Sequence, residues 1–110
     1  DKVLIVEGSS DKKRIAFLLA EPIEIVCTNG TISPYELEEL LNPYEGWDMF
    51  VFVDADDSGE KIRTLFKREF PLAIHLYTEK VYKEVATTPY KVLAEALFGA
   101  NIKVRSEYLH

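Results

Sequence analysis

The chain has 110 residues, 47% of them hydrophobic, with 19 acidic against 13 basic side chains and a formal net charge of −6. That length suits one domain over residues 1–110 with a core of its own, and no apolar run approaches the roughly 20 residues that cross a bilayer. The acidic balance speaks against a nucleic-acid binder that works by bulk charge, and the single cysteine, Cys27, excludes an internal disulfide and a cysteine-based zinc site.

Val3-Leu4-Ile5-Val6 is a short continuous apolar run, as expected of a buried parallel strand. It ends in Glu7-Gly8-Ser9-Ser10-Asp11, where Ser9 or Ser10 can cap a helix that carries Ile15, Leu18 and Leu19 inward and stops before Pro22. A second strand is expected over Ile23–Cys27, with Cys27 as a small core residue, followed by a turn at Thr28-Asn29-Gly30-Thr31. Ser33, Pro34 and Glu36 then give a cap, a first helical position and a capping box. Leu37, Leu40 and Leu41 form that helix's apolar stripe, and Asn42-Pro43 ends it.

Trp47, Met49, Phe50, Val51, Phe52 and Val53 predict a third strand buried on both faces. The third helix is expected from about Gly59 to Glu69, with Ile62, Leu65 and Phe66 inward and Lys61, Arg63, Lys67 and Arg68 elsewhere on its surface. Leu72–Tyr77 is a fourth strand candidate, and Thr78 to Thr87 reads as loop with a short irregular piece. Thr88-Pro89 opens a fourth helix that Gly99 stops, and Ile102 and Val104 suit a short edge strand. The order implies an α/β domain, an open and mainly parallel four-stranded sheet with helices on both faces, Rossmann-like in layering.

The chemistry concentrates in Asp54-Ala55-Asp56-Asp57-Ser58-Gly59-Glu60. Asp54 and Asp56 stand two apart, so an extended chain turns both to one side. Asp57 and Glu60 have the spacing of a capping box that opens the third helix. Carboxylates packed together raise one another's pKa, and a hard cation with oxygen ligands relieves them. The same residues are also good turn and cap chemistry. In an open sheet, sites lie at the carboxyl ends of strands, so Glu7 and Asp54 share a cleft if the first and third strands are neighbours.

Glu7-Gly8, with Asp11, and Asp54-Ala55-Asp56-Asp57-Ser58-Gly59 resemble the two motifs of the Toprim family, the catalytic module of topoisomerases, bacterial primases and ribosomal-RNA maturase ribonucleases. Gly59-Glu60-Lys61-Ile62-Arg63 and Thr28-Asn29-Gly30 are most similar to the maturase-like branch. The resemblance implies a small stand-alone Toprim protein, without the further domains of those enzymes. It implies a Mg²⁺-dependent phosphodiester-cleaving activity on RNA or DNA, with Mn²⁺ as substitute; the alternative is a non-catalytic module that binds nucleic acid, a nucleotide or a protein partner. Glu7, Asp54 and Asp56 are then the catalytic and metal-binding residues. Gly8, Lys61 and Arg63 are the phosphate contacts, and Asp11, Asp57, Gly59 and Glu60 are secondary candidates. Lys12, Lys13 and Arg14 either flank the same cleft or form a solvated helix face. The expected location is cytoplasmic, with no membrane partner and no visible signal peptide. A homo-oligomer is compatible with the sequence. The chain begins at Asp1 rather than Met, so a short piece is expected to precede it.

Overall fold

The computed structural model describes residues 1–78 and 81–110. Four strands, β1 (Lys2–Val6), β2 (Glu24–Cys27), β3 (Asp48–Phe52) and β4 (Ile74–Leu76), form one parallel sheet in the order β2-β1-β3-β4. Four helices connect and cover them: α1 (Ser9–Leu18), α2 (Pro34–Leu41), α3 (Asp57–Glu69) and α4 (Tyr90–Gly99).

The central strands read as unbroken apolar runs because both of their faces are covered. Side chains alternate across the sheet. Leu4, Val6, Phe50 and Phe52 pack with Ile15 and Leu18 of α1 and Leu93, Ala94 and Leu97 of α4. Val3, Ile5, Val51 and Val53 pack on the other side with Leu37 and Leu41 of α2 and Ile62, Leu65 and Phe66 of α3. The strand order makes the gap between β1 and β3 the topological switch point: the chain leaves β1 toward β2, then crosses to β3 and β4 on the other side. Leu4 pairs with Phe50 and Ile5 with Val51, so two residues further on Glu7 stands beside Val53.

Several boundaries differ from the sequence reading. Gly8, not Ser9 or Ser10, is the N-cap of α1, and α3 starts at Asp57 behind Asp56 as its N-cap, so Asp57 and Glu60 do not form the expected capping box. The Ser33–Glu36 box does form, in both directions, at 3.1 and 3.3 Å. β4 is only three residues long. Ile102 and Val104 are buried in the core, and Val104 touches the sequence-distant Leu19 by one antiparallel bridge in place of an edge strand. After α4 it is Asn101, at φ +64°, and not Gly99 that takes the left-handed conformation. Of the stretch read as loop, Val85–Thr87 forms a single 3₁₀ turn, and positions 79–80 lie outside the described residues.

Candidate active site at the β1–β3 strand ends

Glu7 leaves β1 at the point where the sheet's backbone pairing runs out. Its carbonyl accepts the Asn29 N–H at 2.7 Å, which ties the end of β1 to the turn after β2. Its side chain turns the other way. Oε1 accepts the Asp54 N–H at 3.0 Å and Oε2 the Ser58 hydroxyl at 3.4 Å. The two motifs, 47 residues apart in sequence, are thus joined by a direct hydrogen bond.

Asp54 is held from a third segment. Its Oδ1 accepts the Val85 N–H at 2.8 Å, and the next residue, Ala55, donates its N–H to the Lys83 carbonyl at 2.7 Å. Residues 83–85 therefore form a strap along the strand end. Asp56 lies one turn on, where Oδ1 caps α3 through the Gly59 N–H at 2.7 Å. Its second oxygen has no protein partner among the described residues. Gly59 is required by close approach: a Cβ there would stand 1.9 Å from the Asp54 carbonyl oxygen. The glycine lets α3 start directly against the strand end and so fixes where Asp54 and Asp56 stand.

Burial is the main cause that raises the Glu7 carboxyl above its ordinary value, and the negative charges of Asp54 and Asp56 add to it. Asp54 is raised in the same way, first by burial, then by Asp11, Asp56 and Glu84. Asp11 is buried, accepts the Gly8 N–H at 3.1 Å, and is also raised, chiefly by burial. None of the ion pairs formed among the described residues reaches Glu7, Asp11, Asp54 or Asp56. Their donors are carboxylate oxygens, and among the described residues no group of three or more acids, histidines or cysteines is arranged to hold a metal ion.

The sequence reading missed two contributors. Ser58, inside the motif, meets Glu7. Glu84, on the strap, adds its charge to Asp54 and Asp11; no local pattern marks it, because the strap reaches the site only through tertiary contacts.

Asp57 and Glu60 are exposed in the first turn of α3, and Lys61 is exposed on the same helix. Arg63 corrects an expectation. It is 2% exposed, and its guanidinium is used inside the protein. Nη2 donates to the carbonyls of Val53 at 3.1 Å and Leu76 at 2.6 Å, Nη1 meets Nδ1 of His75 at 3.2 Å, and the Tyr77 ring lies 4.0 Å away. A guanidinium so enclosed ties the ends of β3 and β4 together and is not free to meet a phosphate. The apolar hollow of about 420 Å³ between Trp47, Met49, Phe70, Leu72 and Ile74 lies at the opposite, amino ends of β3 and β4.

No protein-family model matches the chain. The chain is 50% identical over 109 residues to the uncharacterized protein YusF of Bacillus subtilis (strain 168), a match that covers 99% of this chain and 75% of that protein. It is 36% identical over 81 residues to Ribonuclease M5 1 of Ligilactobacillus salivarius (strain UCC118) and 35% identical over 77 residues to Ribonuclease M5 of Lactiplantibacillus plantarum. Those matches cover 72% and 69% of this chain but 42% and 40% of the ribonucleases, so the chain spans about two fifths of their length. Among solved structures, a small TOPRIM domain protein from Bacillus stearothermophilus superposes with a TM-score of 0.95 at 52% identity, covering all of this chain and 93% of that one.

Proposed function

We propose a function on one premise: this chain belongs to the Toprim domain family. The site supports best a divalent-metal-dependent phosphodiester chemistry on RNA or DNA. The observation that carries this reading is the Glu7–Asp54 contact at the switch point, which holds two half-buried, mutually repelling carboxylates together, neither of them in an ion pair among the described residues.

The family implies Mg²⁺, and the donor chemistry fits it. Carboxylate oxygens are hard ligands, and Mg²⁺ ordinarily takes one or two of them and completes its shell with water and phosphate oxygens. An open pair drawn from Glu7, Asp54 and Asp56 matches that habit better than a closed cage of three, which the described residues do not form. When bound, the ion would polarise a phosphate and offset negative charge on the attacking and leaving oxygens. The chain's own residues do the rest. Glu7, its proton affinity raised by burial, holds or gives up a proton at Oε1 or Oε2 for the attacking water or the leaving oxygen. Ser58 and the Asp54 N–H orient that carboxyl. Gly8, with no side chain, lets a phosphate come close to the chain beside Glu7, and Lys61 offers an exposed cation on α3.

A non-catalytic binding module is the second reading. It is favoured by the use of one oxygen each of Asp54 and Asp56 for backbone N–H groups. The two separate in a cleavage assay on labelled RNA and DNA with Mg²⁺, Mn²⁺ or EDTA. The expected result is metal-dependent cleavage that Glu7→Gln, Asp54→Asn and Asp56→Asn each lower by about 10²-fold or more. The parent's melting temperature should also rise with millimolar Mn²⁺, and rise less in Asp56→Asn. Cleavage absent from the parent, with binding retained, selects the module.

A further inference from the structure

A strip of stacked guanidinium and aromatic side chains begins at the acids and runs away from them between α1 and α4. Arg14 opens it. Its Nη1 donates to the Val85 carbonyl at 2.7 Å, and Val85 is the residue whose N–H is held by Asp54. The Arg14 guanidinium lies 4.5 Å from the centre of the Tyr90 ring. Tyr90 meets Phe17 at 5.2 Å and Tyr108 at 5.6 Å, and Phe17 meets Tyr108 at 5.7 Å, so the three rings close a triangle. Arg105 ends the strip, 4.4 Å over the Phe17 ring, with its Nε donating to the Phe17 carbonyl.

Tyr90 and Tyr108 rest on the core with their inner sides, but the strip itself lies at the surface. Phe17 is 39% exposed, Arg105 is exposed, and Arg14, Tyr90 and Tyr108 are half-buried. The strip also lies in the basic layer of an acidic protein. α1 carries Lys12, Lys13 and Arg14 against Asp11, and the chain from Tyr90 onward carries Lys91, Lys103 and Arg105 against Glu95 and Glu107. On the opposite layer, residues 34–48 hold Glu36, Glu38, Glu39, Glu45 and Asp48 and no basic residue, while α3 nearly balances Lys61, Arg63, Lys67 and Arg68 against Asp57, Glu60 and Glu69. The net charge of −6 is thus unevenly spread, and the aromatic strip stands on the side that attracts a polyanion.

We propose that this strip binds single-stranded nucleic acid and leads it to the strand-end acids. Flat bases stack on the exposed part of Phe17 and on the outer face of the Arg105 guanidinium that lies over it, contacts that tolerate any sequence, and Arg14 and Arg105 meet the phosphates on either side. A duplex hides its base faces and binds the strip poorly. The direction of the strand rests on the phosphodiester reading above; the binding itself does not.

The test is fluorescence anisotropy on the full chain, in EDTA and in Ca²⁺, with labelled oligo(U), oligo(dT) and a duplex of about 12 nucleotides, a span within the usual single-strand site. Arg105→Ala should weaken single-strand binding about fivefold and lower the salt slope by about one. Phe17→Leu, which keeps an apolar side chain of similar bulk and removes the ring face, should weaken it by a similar factor with little change of slope. Arg68→Ala, an exposed cation of α3 away from the strip, is the control and should leave affinity unchanged. Circular dichroism confirms that each variant is folded. Affinity unmoved in both strip variants, equal loss in Arg68→Ala, or duplex bound as well as single strand overturns the proposal. So does sedimentation that shows the strip buried between copies of the chain. Hydrolysis of a small chromogenic phosphodiester by the unmodified chain with Mn²⁺ is followed separately. Its absence counts against the phosphodiester reading alone, because the anisotropy needs no cleavage.

Discussion

Within ten residues of one another, α3 and the strand before it take charges of opposite sign out of water, and they treat them in opposite ways. Arg63 is almost fully buried, and two carbonyls, a histidine nitrogen and an aromatic face receive its guanidinium. Burial still lowers its pKa, but the partners are in place before any ligand arrives. Because a guanidinium only donates, Nδ1 of His75 is the acceptor in that contact, which puts the ring proton on Nε2. Glu7 and Asp54 are only half-buried, receive one backbone N–H each with one hydroxyl between them, and face other carboxylates. The lesson is that a buried charge in a framework position finds most of its partners within the chain, here at both Nη atoms of Arg63 though not at Nε. A buried charge left short of partners is held ready for something outside the chain.

The comparison breaks most severely at Arg63. Arg63→Ala orphans the Val53 and Leu76 carbonyls, at about 1–3 kcal/mol each, and leaves a cavity between α3 and the sheet. The expected loss is about 3–5 kcal/mol in a denaturant titration. A loss below about 1 kcal/mol would mean that the guanidinium is not part of the framework.

Gly59 tests the join between the two regions. Gly59→Ala drives a methyl group into the Asp54 carbonyl, and relief requires backbone movement where α3 leaves the strand. Overpacking of this kind costs about 1–3 kcal/mol. The Asp54 amide resonance should shift along with the fall in melting temperature. A variant as stable as the parent, with that resonance unmoved, would show that α3 need not start so close.

The smallest effect sharpens the acidic half. A carboxyl whose folded pKa lies above its unfolded value costs stability at every pH above the folded value. That cost is relieved as pH falls through the folded value toward the unfolded one, near the ordinary 4.5 for Glu7 and 3.8 for Asp54. In metal-free buffer Glu7→Gln and Asp54→Asn should therefore melt above the parent at neutral pH, by a few degrees at most. The gap should close toward about pH 4, where the parent's own carboxyls are protonated. Thermal melts across that range decide it. A parent that is the more stable form at pH 7 would mean that the hydrogen bonds from Asp54, Ser58 and Val85 outweigh the repulsion.

Local sequence was enough for the layered α/β order, the two acidic motifs at strand ends, and the Ser33–Glu36 cap. Each of these is written within a few residues: continuous apolar runs for strands buried on both faces, a serine and a glutamate three apart for the box. It did not decide which residue caps α3, because Asp56 and Asp57 are chemically equal in a local reading. The choice fell to Asp56 because Gly59 packs on the Asp54 carbonyl and brings its N–H to the Asp56 oxygen. Nor could periodicity place Arg63, whose charge marks it for a surface until the ends of β3 and β4 supply carbonyls to enclose it. The Glu7–Asp54 bond, the strap at Lys83–Val85 and the stacking of Arg14 and Arg105 on rings far off in the chain all depend on contacts 28 to 88 residues apart. Only the packed sheet, with β1 set beside β3, brings such partners within reach, because a hydrogen bond between distant residues is decided by where strands lie and not by what adjoins them in sequence.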